Sequence, residues 1–326
     1  MKTRVFFTVL IVLFSTAFAQ NNEKYTEYVT IAEALYNSGE FQKSADKYQK
    51  AFEQLEGKAY SYDRYNAACS YALAQDTENS FYHLFRLAET KETRYRDYDH
   101  ITNDTDLNSL HKDKRWKKLI ALVKANKEEV EKYYDKPLIA VLDTVFKDDT
   151  TDRRKIDQII NDYGYESDEY KSLWDTINKK DSINQIKVKT IIDERGWLGE
   201  DVIGFQGNKT LFLVIQHSDL ETQLKYLPII KQAAKDGNVR KSYMALLEDR
   251  IALRQGQKQI YGSQMYTSRD GKVYVAPLIE PENVEKRRAK LGIKSLQEYL
   301  AHKEMIWGVE KYIEFTKKME AEKQQD

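Results

Sequence analysis

The segment YTEYVTIAEALYNSGEFQKSADKYQKAF, residues 25–52, decides the fold of the first part of the chain. Its apolar and small residues recur at steps of three and four, which is the spacing of one face of an α-helix. Asn37-Ser38-Gly39-Glu40 interrupts the pattern, and Gly39 stands where a helix C-cap favours glycine. The segment therefore predicts two short antiparallel helices joined by a tight turn.

This helix pair resembles a tetratricopeptide repeat. The matching small residues are Ala32, Ser44 and Ala51, the matching aromatic residues are Tyr28, Phe41 and Tyr48, and Gly39 matches the turn. A second copy follows with a period near 36, but it has Gln75 in place of the turn glycine. A closing helix pair is expected up to about residue 132. The resemblance implies a small helical array that binds a protein or peptide partner.

Tyrosine is unusually frequent in these repeats, with eleven between residues 25 and 98. The rings either line a groove for an extended peptide or pack between the helices with their hydroxyls reaching water. Repeat packing already explains several of them, so we favour packing for any single tyrosine.

The first nineteen residues predict export. Lys2 and Arg4 precede an apolar run over residues 5–14, and a small-x-small ending follows at Ala17 and Ala19. These are the three parts of a secretory signal peptide, with cleavage expected after Ala19. Because Gln20 rather than a cysteine follows the predicted cut, we expect an exported protein, periplasmic or secreted, that is not a lipoprotein.

Composition excludes several classes of function. The 326 residues contain 52 Lys and Arg against 52 Asp and Glu, which argues against a basic nucleic-acid-binding surface. Removal of Lys2 and Arg4 with the signal peptide leaves 50 positive against 52 negative groups. Cys69 is the single cysteine, so no disulfide and no thiolate zinc site is expected. No phosphate-binding glycine-rich loop occurs, and we expect no cofactor, no metal and no membrane span.

Pro137 marks a domain boundary near residue 135, which predicts helical repeats over residues 20–135 and a second domain over 136–326. This domain is predicted to be mostly helical, so the fold class is mainly α. The predicted helices span 138–147, 152–162, 167–179, 182–195, 207–217, 220–235, 240–254 and 295–319. A small β-hairpin is predicted around Asp270-Gly271.

Four motifs of the second domain resemble those of a bacterial domain of unknown function. They are Gly196-Trp197, Gln216-His217, Asp249-Arg250 and Gln259-x-Tyr261-Gly262-x-Gln264, in this order, accompanied by Asp149 to Arg153 and by Arg287-Arg288. The resemblance covers about residues 138–300. It implies the domain and no activity.

Arg250 and His217 are the main candidates for chemistry. Arg250 falls inside the apolar arc of its helix, where a guanidinium needs a structural carboxylate partner or a bound anion. His217 ends an apolar run and is either a hydrogen-bonded core residue or a general base. If they converge with Asp249, these residues form a catalytic group.

The remaining polar residues in apolar settings are candidate ligand-binding groups: Trp197, Gln216, Gln259, Tyr261 and Gln264. The amides near Tyr261 either tie a loop together or recognise a polar ligand.

The leading hypothesis is an exported protein-interaction and ligand-binding protein. The alternative is a hydrolase of envelope or extracellular polymers, with His217 as general base and Arg250 as anion clamp. The sequence leaves open whether the domain is an enzyme, and it does not name the oligomeric state.

Overall fold

The computed structural model of the protein describes residues 21–22, 24–267, 272–301, 303 and 305–323. The predicted signal peptide and the predicted Asp270-Gly271 turn lie outside these residues. The fold is mainly α, as predicted, and one two-stranded sheet is the only sheet within the described residues. The chain divides into two compact units between Lys132 and Tyr133, and each is described here by itself.

The N-terminal unit consists of helices joined by short turns. In chain order they are α1 (24–37), α2 (Phe41–Gln54), α3 (Ser61–Leu73), α4 (Thr77–Glu89), α5 (Tyr98–Asn103), a 3₁₀ helix (Thr105–Leu110) and α6 (Lys114–Glu131).

The same hydrogen bonds recur 36 residues apart in this unit. The Ser44 hydroxyl donates to the Ala32 carbonyl at 2.8 Å, and the Ser80 hydroxyl donates to the Ala68 carbonyl at the same distance. The turn after α1 places Gly39 at φ 79°, and the turn after α3 places Gln75 at φ 64°. Gln75 therefore adopts the left-handed conformation that glycine adopts in the first turn.

Most of the repeat tyrosines that are buried also hydrogen-bond through their hydroxyls. The Tyr25 hydroxyl donates to Asp63 at 2.6 Å, and the Tyr65 hydroxyl donates to Asp104 at 2.9 Å. The side chains of three other tyrosines remain exposed: Tyr60, Tyr62 and Tyr82. Packing thus accounts for the buried rings, and it does not account for the three exposed ones.

The C-terminal unit contains the remaining elements. They are α7 (Lys136–Thr151), a 3₁₀ turn (Arg153–Lys155), α8 (Ile156–Tyr163), α9 (Asp168–Arg195), α10 (Glu200–His217), α11 (Leu220–Asp236), α12 (Lys241–Arg254), β1 (Met265–Thr267), β2 (Val273–Val275), a 3₁₀ turn (Pro281–Asn283), α13 (Val284–Leu291), α14 (Leu296–Ala301) and α15 (Val309–Lys323). Strands β1 and β2 pair antiparallel, with Met265 opposite Val275.

Several details differ from the predicted helices. Helix α10 begins at Glu200 and not at residue 207. The predicted break near residue 180 is wrong, because Ile177, Asn184 and Val188 are buried along one uninterrupted face of α9. The predicted helix 295–319 is instead two helices, α14 and α15, since residues 305–308 are not helical. Ile306, which belongs to the apolar face of the predicted helix, is not buried but 89% exposed. Helix α13 was not predicted; it is rich in charged residues and carries little apolar periodicity.

Two glycines set the position of α10 against α7. Gly204 has φ 67° and ψ 171°, and it bends α10 next to the ring of Tyr134. At Gly207 an added Cβ would lie 3.2 Å from Leu142 Cδ1, so glycine lets the two helices approach closely. Because of this approach, the C-terminal end of α10 comes to lie beside the C-terminal end of α7. None of the described helices has the length and apolarity needed to cross a membrane.

Candidate functional site

The side chain of His217 contacts a carboxylate that is distant in sequence. Its Nδ1 lies 2.9 Å from Asp149 Oδ1, and Asp149 is only 2% exposed. His217 is the last residue of α10, and Asp149 lies in the last turn of α7. A carboxylate at Nδ1 fixes the orientation of the imidazole and leaves Nε2 for a ligand or a reacting proton.

Arg153 holds Asp149 in place. Its Nη1 donates to the Asp149 carbonyl at 2.8 Å and to Asp149 Oδ1 at 3.2 Å. Both Nη atoms also donate to the two carboxylate oxygens of Asp181 on α9, at 2.9 and 2.6 Å. This two-bond pairing fixes the guanidinium plane, so that Asp181, Arg153, Asp149 and His217 form one continuous network.

Arg250 lies at the same end of α10. Its Nη1 donates to the Gln216 carbonyl at a long 3.3 Å, and its Nε is fully buried with no partner among the described residues. In the part of the chain that the structure describes, no carboxylate pairs with this guanidinium. An arginine has five N–H donors, so a single long hydrogen bond leaves most of its donor capacity unused.

The charges that shift the pKa of Arg250 are positive. The pKa of Arg250 is lowered to about 10, first because burial disfavours the charged form and then because Arg254 and Arg153 repel it. Arg254 itself donates to the Ser218 carbonyl at 2.6 Å. The pKa of Asp219 is lowered first by hydrogen bonds from Thr222 and then by the charges of Lys189 and Arg254. Arg250 therefore stands out as the cation whose surroundings favour an added negative charge.

We call His217, Asp149, Arg153, Arg250 and Arg254 the His217 cluster. Four polar atoms in and beside it are buried without a hydrogen-bond partner among the described residues. They are Asp149 Oδ2, Gln216 Oε1, Gln223 Oε1 and Arg250 Nε. A buried polar atom without a partner costs roughly 1–3 kcal/mol, so a bound group that offers complementary atoms gains binding free energy here.

Asp249 faces away from this cluster into a loop. Its Oδ1 accepts from the backbone N–H groups of Ile260 and Tyr261 at 2.7 and 2.8 Å. Its Oδ2 accepts from the N–H and the hydroxyl of Ser263 at 2.9 and 2.8 Å. With four donors on a fully buried carboxylate, Asp249 is a structural residue that orders the loop, and its predicted place beside His217 is not observed.

The amides of this loop are also tied to the backbone. Gln259 is fully buried, and its Nε2 donates to the carbonyls of Gln264 and Ala276 at 3.0 and 2.8 Å. Gln264 in turn directs its Nε2 towards the Leu246 carbonyl at 3.3 Å. Of the two predicted roles, the geometry favours tying the loop together.

Two arginines close the loop from the other side. Arg287 Nε donates to the Ile260 carbonyl at 2.8 Å, and Arg288 Nη1 donates to the Tyr261 carbonyl at 2.7 Å. Carboxylate and guanidinium groups therefore satisfy both the N–H and the C=O of this loop, which is rigid for that reason.

Two further predicted ligand-binding residues have contacts with residues outside the His217 cluster. Burial raises the pKa of Tyr261 to about 12, and its hydroxyl interacts with Glu248. Trp197 is 7% exposed and packs in the core of the C-terminal unit, where its Nε1 has no partner among the described residues. Of the predicted set, the structure brings together His217, Gln216 and Arg250.

One group of potential metal ligands lies together in the N-terminal unit, considering only the described residues. Cys69, Asp104 and Asp106 each place a ligand atom within 4.8 Å of the others. Tyrosine hydroxyls already donate to both carboxylates, from Tyr65 to Asp104 and from Tyr36 to Asp106. Burial also raises the pKa of the Cys69 thiol. We therefore assign this group to hydrogen-bonded packing.

The comparison with known families supports the domain that the motifs indicated. Residues 142–311, more than half of the chain, match the family of unknown function DUF6624. The chain belongs to this family. No curated protein and no solved structure matches it. The matched DUF6624 segment contains both the His217 cluster and the Asp249 loop.

Sequence reasoning missed the partners of His217 in the DUF6624 domain. Asp149 and Arg153 accompany the four motifs, but the sequence predicted no role for either of them. Asp181 was not among the candidate residues. They lie on α7, on the turn after it and on α9, so their convergence depends on how three helices pack. The acidic and basic residues between 148 and 155 were a sign that charge is concentrated there.

Proposed function

We propose that the DUF6624 domain binds an anionic group, a phosphate or a carboxylate, at the His217 cluster. The observation that carries this proposal is Arg250, a guanidinium with a buried, unpartnered Nε and no carboxylate among the described residues. An anion that accepts a hydrogen bond from Nε supplies the negative charge that balances the guanidinium of Arg250. His217 Nε2 then contributes a second donor or acceptor to the same ligand.

Hydrolysis is the second candidate function, and the contact between His217 and Asp149 favours it. With Nδ1 held by the carboxylate, Nε2 accepts a proton from a water molecule as the oxygen of that water bonds to the carbonyl carbon or phosphorus of the bound substrate. The bond from that atom to the leaving oxygen or nitrogen then breaks, and His217 returns the proton to the leaving group. Arg250 stabilises the negative charge that develops on the substrate oxygen. The substrate class is then an anionic ester or amide of an envelope or extracellular polymer.

The proposal includes export and a protein or peptide partner. The sequence of the first nineteen residues supports export. The resemblance to tetratricopeptide repeats and the exposed Tyr60, Tyr62 and Tyr82 support an interaction surface on the N-terminal unit. Exported repeats of this kind would bring the anion-binding domain to its target.

Isothermal titration calorimetry with inorganic phosphate and with acetate tests the binding function. We expect one saturable site in the wild-type protein and at least a tenfold weaker affinity in Arg250→Met. Arg195→Met, which removes an arginine paired with Asp135 at the surface, serves as the control and should bind as the wild type does. Equal affinity in Arg250→Met, or no saturable binding of either anion, would contradict the proposal.

The hydrolase candidate has its own test. His217→Gln should retain anion binding within about threefold while it abolishes the release of phosphate from a model ester such as p-nitrophenyl phosphate. A wild-type protein that binds phosphate but releases none of it from such esters is a binding protein for that class of substrate.

A further inference from the structure

A cavity of the C-terminal unit lies between the β-hairpin and α15, formed by residues other than those of the His217 cluster. Its volume is about 340 Å³, which falls in the range of small-molecule sites. Strand residues Tyr266 and Tyr274 line one side, and Tyr312 and Phe315 of α15 line the other.

The floor of this cavity is held by hydrogen bonds. The Tyr312 hydroxyl donates to the Ala276 carbonyl at 3.1 Å and accepts from the Leu278 N–H at 2.8 Å. Tyr312 and Leu278 are 8% and 3% exposed. Because both ring and backbone are fixed, the cavity is formed before any ligand arrives, which lowers the entropic cost of binding.

The rim of the cavity is aromatic and partly exposed. The rings of Tyr266 and Tyr274 meet edge to face at 6.0 Å, and those of Tyr274 and Phe315 meet at 5.1 Å. Tyr266 is 40% exposed and Phe315 is 37% exposed. Two exposed aromatic rings around one cavity are typical of a binding surface.

The charge at this cavity has one sign. Of its described lining residues, the charged ones are Lys258 and Lys317, and both are exposed lysines. The other lining side chains are aromatic, aliphatic, proline or hydroxyl-bearing. A ligand that complements this lining has an apolar body and a negative charge placed at the solvent edge.

We propose that this cavity binds an amphipathic small molecule with an apolar or aromatic body and a single anionic group. The body packs against the edge-to-face pair of Tyr274 and Phe315, above Tyr312. The anionic group stays at the edge beside Lys317. This site is independent of the anion site proposed at Arg250.

Two fluorescent probes of nearly equal shape test both halves of the proposal. 8-Anilinonaphthalene-1-sulfonate carries a sulfonate, and N-phenyl-1-naphthylamine is its uncharged counterpart. In the full-length mature protein, Phe315→Ser should weaken the binding of both probes at least fivefold. Lys317→Glu should weaken the sulfonate at least threefold and leave the uncharged probe unchanged.

Two controls identify the site. Ile186→Ser removes an exposed apolar side chain on α9, and Arg250→Met removes the cation of the other proposed site. Both variants should bind both probes as the wild type does. Circular dichroism of each variant checks that the helices are intact.

Three outcomes would overturn the proposal. The first is unchanged probe binding in a folded Phe315→Ser variant. The second is a loss of sulfonate binding in Arg250→Met as large as that in Phe315→Ser. The third is an equal effect of Lys317→Glu on both probes, which would remove the role of the anionic group.

Discussion

Nδ1 of His217 lies 2.9 Å from Oδ1 of Asp149, although the two residues are 68 positions apart in the chain. Arg153 holds the same carboxylate oxygen at 3.2 Å, while Arg250 pairs with no carboxylate among the residues that the structure describes. One end of the DUF6624 domain therefore contains both a paired and an unpaired arginine, and these two differ in what their removal should do.

Arg250→Met should leave the free energy of unfolding within about 1 kcal/mol of the wild type or raise it. The reason is that methionine replaces an uncompensated buried charge with an apolar side chain. Thermal and urea unfolding without added anions measure this change.

Arg153→Met is the matched control, because it takes the guanidinium away from the half-buried Asp181 carboxylate and from the buried Asp149 carboxylate, which keeps its contact with His217. It should lower stability by about 3–5 kcal/mol. If Arg250→Met destabilises as much as Arg153→Met, Arg250 holds the fold rather than a ligand.

Asp249→Asn should destabilise the C-terminal unit, because an amide cannot accept from all four donors that the carboxylate serves. The expected loss is about 3 kcal/mol, together with faster hydrogen exchange at residues 259–264. Phosphate affinity, measured under conditions where the variant is folded, should change by less than threefold.

Asp236→Asn, at an exposed position of α11, is the control and should change stability by less than about 0.5 kcal/mol. A large loss of phosphate affinity in folded Asp249→Asn would place Asp249 in the anion site after all.

His83 in the N-terminal unit should make stability depend on pH. The pKa of His83 is lowered to about 4, chiefly by burial and then by the charges of Arg64 and Arg86. Between about pH 6.5 and pH 4 the unfolded chain binds a proton that the folded chain does not. Stability therefore falls as the pH decreases through this window, by about 3 kcal/mol in all.

The acid-induced loss at His83 is measured by hydrogen exchange of α3 and α4 at several pH values. His83→Gln keeps an acceptor for the Arg64 guanidinium, which lies 3.2 Å from His83 Nδ1, and it does not titrate. The variant should show a shallower loss than the wild type. Parallel pH profiles for the two proteins would mean that His83 is protonated in the folded state.

Gln75→Gly should stabilise the N-terminal unit by about 0.5–1 kcal/mol. Gln75 has φ 64°, in a region where a side chain is disfavoured and glycine is not. Gln42→Gly, at an exposed position of α2, is the control and should destabilise by about 0.5–1 kcal/mol. Urea unfolding followed by circular dichroism measures both, and a loss of stability in Gln75→Gly would contradict the turn geometry.

The mainly α class and most helix positions of the DUF6624 domain follow from apolar periodicity. Ends were predicted well where a cap is encoded locally, as at Gly196 after α9 and Gly237 after α11. The predicted break in α9 failed because its polar surface residues mask a buried stripe. Helix α13 has too few apolar residues to show a period.

The sequence predicted two residues of the candidate site, His217 and Arg250, but not the partners of His217. His217 and Arg250 were found because a polar group in an apolar run conflicts with its surroundings, which is a local signal. Asp149 lies in a run of polar residues and gives no such conflict, so its role depends on how α7 packs against α10. Asp249 gave the same signal as Arg250, but its partners are backbone groups of a loop that helical periodicity does not describe.

Titration with inorganic phosphate, followed by NMR at the Arg250 Nε–H, tests the proposed anion site. The resonance should be assigned by its absence from the spectrum of Arg250→Lys. We predict that it moves downfield and saturates as phosphate is added, while equal ionic strength of sodium chloride leaves it in place. An Nε–H resonance that does not respond to phosphate, or that responds equally to chloride without saturation, would show that Arg250 does not bind the anion.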